Sequence, residues 1–140
     1  MRQSLTVEED PDIREILKDA RTIALVGASA DPSRDSNLIG QFLIKQGYEV
    51  IPVNPRYPEV FGKKCFPTVA GIGKQIDIVD VFRRSEFLGE TARDAVDAKA
   101  QVLWMQLGIE NEGAARIAAD AGLRVVMNRC IMVEHRRLLR

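Results

Sequence analysis

Histidine occurs once in this chain and cysteine twice. His135, Cys65 and Cys130 stand apart, with no spacing that a metal site would use. A Ser-His-Asp order and a GxxxxGK[ST] phosphate loop are also missing. Charge of one sign is lacking too, because 20 Lys+Arg face 20 Asp+Glu. That balance excludes a general attraction to nucleic acid or to an anionic membrane. No apolar run approaches the ~20 residues of a spanning helix. The opening MRQSLTVEEDPDIREIL has no apolar core of the signal-peptide kind. The expectation is one cytoplasmic domain over residues 1–140, with 1–10 as a mobile arm and with two free thiols.

What is present is an ordinary globular mix, 46% hydrophobic and 29% charged, which excludes a disordered chain. Apolar runs alternate with amphipathic stretches. Asp10 as N-cap and Pro11 open a helix with Ile13, Ile16, Leu17 and Ala20 on one face. A strand over 22–27 follows. The next helix runs over 37–46, capped by Ser36 and Gly47, with Leu38, Phe42 and Leu43 on its apolar face. A second strand covers 49–53. A Pro- and Gly-rich stretch then holds a short strand near 64–66 and a short helix capped by Thr68. Further strands read at 76–82, 101–106 and 123–127, and helices at 85–98 and 111–121. The C-terminal IMVEHRRLLR reads as a short helix or ordered tail. The strands are continuous apolar runs, as in a parallel sheet covered on both faces. The fold class is therefore α/β, a Rossmann-like, doubly wound three-layer sandwich with a mainly parallel sheet.

In such folds ligands bind beyond the carboxyl ends of the strands, near the point where strand order reverses. That rule selects five candidate segments. The first is Gly27, Ala28 and Ser29, continuing through Arg34, Ser36 and Asn37. Here a glycine turn leads to a helix N-terminus suited to phosphate. The second is Asn54, Pro55, Arg56 and Tyr57. A dinucleotide site that takes NAD needs a carboxylate there for the ribose 2′-hydroxyl, and Asn-Pro-Arg instead suits a phosphate. The third is Phe82, Arg83 and Arg84, where neighbouring side chains point opposite ways, so that one arginine reaches the crevice. The fourth is Gln106, Leu107 and Gly108, and the fifth is Asn128, Arg129 and Cys130; of these two segments only Gln106 is chosen as a ligand contact. Plainer readings remain for the first and third: a tight βα turn without ligand, and a core phenylalanine flanked by surface ion pairs. His135 beside Glu134 has no nucleophile to serve. Asp77 and Asp80 fall in a buried-strand pattern, with Asp77 at its start and facing solvent.

Taken together, IALVGAS, YEVIPVNPRYPEVFGKKCFPTV, DIVDVFRRSE, VLWMQLGI and GLRVVMNRCIMVEH, in this order, resemble the small stand-alone CoA-binding domain proteins. These are relatives of the CoA-binding domain of the succinyl-CoA synthetase alpha subunit and of ADP-forming acyl-CoA synthetases. The resemblance implies coenzyme A bound at the strand ends. Gly27 to Asn37 would contact phosphates and ribose, and Asn54 to Tyr57 the adenosine 3′-phosphate end. The segment that lies against adenine and pantetheine is Val-Pro-Pro-like in the synthetases and Val81-Phe82-Arg83-Arg84 here.

The synthetases also carry a phospho-histidine domain, and His135 does not match its motif. The resemblance therefore implies binding of coenzyme A or acyl-CoA rather than ligase activity. A homo-oligomer or a partner subunit remains open, and no metal is needed. Two alternatives stand beside this. One is a small NADP-dependent oxidoreductase with Arg56 on the 2′-phosphate. The other is a redox module in which Cys65 or Cys130 forms a mixed disulfide with CoA.

Overall fold

The computed structural model describes residues 5–139 and contains five helices and seven strands among them. α1 (Asp10–Asp19) leads into β1 (Thr22–Val26), α2 (Asp35–Lys45) and β2 (Glu49–Val53). A short antiparallel pair, β3 (Glu59–Val60) and β4 (Lys63–Lys64), follows. β5 (Ile78–Val81), α3 (Leu88–Asp97), β6 (Val102–Met105), α4 (Glu112–Asp120), β7 (Arg124–Val126) and α5 (Ile131–Leu138) complete the order. The main sheet has five parallel strands in the order β2-β1-β5-β6-β7.

The strands feed two apolar layers by their period of two. Ile23, Leu25, Ile78, Val102 and Trp104 pack under α1, α2 and α5. Ala24, Val26, Val79, Val81, Leu103 and Met105 pack under α3 and α4. Both faces are therefore dry, and the sandwich is doubly wound as the apolar runs require. Each fully buried Leu or Ile side chain contributes roughly 1.5–3 kcal/mol. Trp104 is fully buried, and its Nε1–H donates to the Arg129 carbonyl at 2.8 Å.

Several local expectations shift. The first cap is Glu9, and Asp10, the first helical residue, is paired instead with Arg137 at 2.7 Å. α2 starts two residues earlier than expected, after Arg34, and no side chain caps it. Its buried residues are Ser36, Asn37, Ile39, Gly40 and Leu43, while Leu38 is 56% exposed. The reason is Phe61, whose ring lies where a Cβ on Gly40 would be. The smallest residue of the helix thus faces inward, which a search for large apolar residues passes over. Ser85 opens a 3₁₀ turn (Ser85–Phe87) rather than α3 itself. Asp77 does not face free solvent: its Oδ2 accepts the amides of Arg21 and Thr22 at 2.7 and 3.0 Å. The expected N-terminal arm falls partly outside the described residues. Within them it is docked, since the Val7 amide donates to the Val125 carbonyl at 2.7 Å on the β7 edge, and Leu5 packs on the core.

Asp80 is the exception to the apolar rule. It lies between Leu25 and Trp104 in register and is fully buried, and neither carboxylate oxygen has a partner. Burial pushes its carboxyl well above the usual range. The unfolded chain loses this proton near 3.8 while the native chain keeps it. Native protein then binds more protons than unfolded, and stability falls as pH rises through that window. Asp80→Asn should remove this dependence. Relative to the variant, the parent should lose about 1.4 kcal/mol per pH unit between the two pKa values. Urea unfolding of both proteins from mildly acidic to neutral pH checks it, and parallel curves would contradict it.

Candidate functional site

The chain leaves β1 for β2 on one side and returns to place β5 on the other side of β1. Strand order therefore reverses between β1 and β5, and the crevice opens beyond Val26 and Val81. Gly27 makes this possible. Its φ is +88°, and a Cβ built on it would lie 3.3 Å from the Phe82 backbone carbon and Cβ. A side chain there would be strained by conformation and crowded by β5 at once. The amides of Gly27 and Ala28 both turn back to the Val53 carbonyl, at 2.9 and 3.3 Å.

Asparagines tie the loops that follow. Asn54 Nδ2 donates to the Ala28 carbonyl at 2.8 Å, and Asn54 Oδ1 accepts the Arg56 amide at 2.9 Å. Asn37 Nδ2 donates to the Ser29 carbonyl at 2.8 Å. Ser29 Oγ in turn accepts the Asp31 amide at 3.0 Å. The Ser33 amide and then its hydroxyl hydrogen-bond the Asp31 carboxylate and hold it below its usual range. The turn between β1 and α2 is thus held from both ends, and it carries Arg34 at the entry of α2.

The result is a cleft of about 630 Å³. On one side stand Arg34, Ser36, Arg56 and Tyr57. Gly27 and Phe82 lie at the strand reversal, and Gln106, Leu107, Ile109 and Cys130 lie on the β6 side. Gln106 is 4% exposed, and its Oε1 accepts the Ile131 amide at 3.0 Å. Asn128, at φ +61°, accepts the Gly108 amide at 2.7 Å and sets the loop that holds Leu107 and Ile109.

Of the residues selected from the sequence, Gly27, Ser29, Arg34, Ser36, Asn54, Arg56, Tyr57, Phe82 and Gln106 line this cleft. Ala28, Asn37 and Pro55 do not; Ala28 and Asn37 are buried beneath the turn. Arg83 and Arg84 are also outside the lining. Arg83 lies over the Phe87 ring at 5.0 Å, and Arg84 is exposed, 3.8 Å from Glu86. The strand ends at Val81, so the alternation that would aim one arginine inward stops before them. Ser33, Asp35, Ile39, Leu107, Ile109 and Cys130 line the cleft without having been selected. The strand-end rule already pointed to the segments of Leu107 and Cys130, but Leu107 carries no polar group to choose it by, and Cys130 entered only as a thiol of the redox alternative.

His135 lies elsewhere, in edge contact with the Phe42 and Tyr48 rings at 5.4 and 5.8 Å. Burial lowers its pKa, which favours the neutral ring packed against those aromatics. Among the described residues no group of His, Cys, Asp and Glu suits a metal. No helix there is long and apolar enough to cross a membrane.

The double role of Asn54 is open to test. Asn54→Ala should cost on the order of 1–3 kcal/mol, the range for leaving buried partners unmet. Asn54→Asp should lose a similar amount, because it sets a second acceptor against the Ala28 carbonyl. Denaturant midpoints measure both. A neutral Asn54→Asp would mean that the turn does not depend on this donor.

A family model described as a CoA binding domain matches residues 21–136. The uncharacterized protein YneT of Bacillus subtilis is 41% identical over 124 residues, spanning 89% of this chain and 92% of that one. A hypothetical protein from Pyrococcus horikoshii OT3 is 44% identical, with a TM-score of 0.93 and full coverage of both chains. ADP-forming acetate–CoA ligase I of Archaeoglobus fulgidus is 24% identical over 121 residues, covering 79% of this chain and only 18% of the ligase. The strand-end cleft, the Rossmann-like sheet and the extent of these matches converge, and the chain belongs to the CoA-binding domain family, related to domains of the ADP-forming acetate–CoA ligases.

Proposed function

We propose that this chain binds coenzyme A, free or as an acyl thioester, in the cleft at the strand ends, and that it does so without performing ligase chemistry. The observation that carries the reading is the cationic side of the cleft. Arg34, Arg56 and the uncapped opening turn of α2 line one space, where the two guanidinium groups outnumber the single carboxylate of Asp35, and the residue after β2 is Asn54 rather than a carboxylate. Coenzyme A brings about four negative charges near neutral pH, and such a ligand favours guanidinium groups and helix-terminal amides. Family membership makes coenzyme A the first ligand to try. The volume, about 630 Å³, lies within the range of small-molecule sites.

Phosphates and the adenosine end belong with Arg34, Arg56 and the Ser29 and Ser36 hydroxyls. The pantetheine arm belongs past Phe82, toward Leu107 and Ile109. Arg83 and Arg84, outside the lining, have no part in this assignment.

Coenzyme A should bind one to one and raise the melting temperature; at a hundredfold excess over Kd it should add about 2.7 kcal/mol of stability. Arg34→Ala and Arg56→Ala should each cost on the order of 1.5–3 kcal/mol of binding and reduce its salt dependence. Arg83→Ala and Arg84→Ala should each cost under about 0.5 kcal/mol. Calorimetry and thermal shift, with NADP titrated in parallel, test the set. A response to NADP with none to coenzyme A would overturn the reading.

A further inference from the structure

The two thiols have different surroundings. Cys65 is 5% exposed, its Sγ lies 3.5 Å from the Asn54 carbonyl oxygen, and burial pushes its thiol up. Cys130 is half-buried and lines the cleft on the β6 side. It also lines a neighbouring hollow of about 470 Å³, where Leu107 again lies beside it.

Gln106 supplies an independent pointer to a ligand at the same place. It is 96% buried by its 4% exposure, and its amide orientation is set because Oε1 accepts the Ile131 amide. Nε2 must then be the donor that remains, and among the described residues it donates to no group. It is not sealed in the core either. The fully buried side-chain atoms without partners there are the two oxygens of Asp80. Nε2 therefore faces the cleft that Gln106 lines. A buried amide donor left open into a cleft asks for an acceptor such as a carbonyl oxygen.

We propose that the β6 side of the cleft is the thiol subsite, and that Cys130 exchanges disulfides there with coenzyme A. This rests on the coenzyme A reading above. With the phosphates held near Arg34 and Arg56, the pantetheine arm runs toward β6. Gln106 Nε2 donates to one of its amide carbonyls, Leu107 and Ile109 cover its methylenes, and its sulfur comes to rest by Cys130. The co-reactant is coenzyme A disulfide. The Cys130 thiolate attacks one sulfur of that disulfide and forms a new S–S bond. The old S–S bond breaks, and the displaced coenzyme A thiolate takes up the proton that Cys130 gave away. The oxidation state is conserved, and no further oxidant is needed.

Intact mass and peptide mapping after exposure to coenzyme A disulfide or to glutathione disulfide decide the matter. Coenzyme A disulfide should modify Cys130 about tenfold faster or more, since binding raises its local concentration. The rate should saturate with concentration and fall when desulfo-coenzyme A competes. Gln106→Glu keeps an acceptor for Ile131 and removes the open donor, so it should lose most of the advantage over glutathione disulfide. Cys130→Ser should give no adduct. Modification at Cys65, or equal rates with the two disulfides, would overturn the thiol subsite. Calorimetry separates the two failures. Coenzyme A binding without a Cys130 adduct removes this subsite alone, and no coenzyme A binding removes the reading beneath it as well.

Discussion

The contact between Gly27 and the backbone of Phe82 organises the functional end of this molecule. β1 and β5 are neighbours across the reversal of strand order, and each must end and turn within the same small space. Gly27 turns at φ +88° with the Phe82 backbone only 3.3 Å from where its Cβ would be. With no side chain at Gly27, both loops leave the sheet and diverge above it. A larger residue would push them apart and alter the cleft. The amides of Gly27 and Ala28 then return to Val53, so three strand ends are tied at one point.

Above that point the cleft is asymmetric. Its β2 side offers guanidinium groups, hydroxyls and a helix N-terminus, and its β6 side offers Leu107, Ile109, a buried amide and a thiol. The asymmetry follows from topology. α2 starts at the turn after β1 and brings its positive end there, whereas the loop after β6, tied by Asn128, lines the cleft with an exposed Leu107 and a half-buried Ile109. A ligand that is anionic at one end and a flexible thiol-bearing arm at the other matches both halves.

The same sheet tolerates one unpartnered acid. Asp80 lies one pleat below Phe82, between Leu25 and Trp104, where an apolar residue of similar size would meet no penalty. Protonated, it costs the desolvation of a neutral carboxyl; ionised, it costs far more. His135, by contrast, is accommodated by the edges of two aromatic rings. Two buried titratable groups on the same side of the sheet thus differ by their chemistry: the ring can pack as an apolar body, and the carboxylate cannot.

By itself the sequence determined the order and kind of the main elements, because apolar runs such as Ile23–Val26 and the helical spacing of Ile13, Ile16 and Leu17 are local signals. It also determined the parallel sheet, since strands dry on both faces leave no polar alternation. From these the strand-end rule reached Gly27, Asn54, Arg56, Phe82 and Gln106. Tertiary structure decided what depends on contacts between distant residues. It turned Gly40 inward against Phe61, left Leu38 exposed, and docked residues 5–9 on the core and the β7 edge. It excluded Arg83 and Arg84 from the cleft lining by ending β5 at Val81, and it brought Cys130 in by tying Ile131 to Gln106. Periodicity reports which face of an element is apolar. Which side chains share a cavity depends on where the chain stops one element and begins the next, and that is settled by packing across the whole sheet.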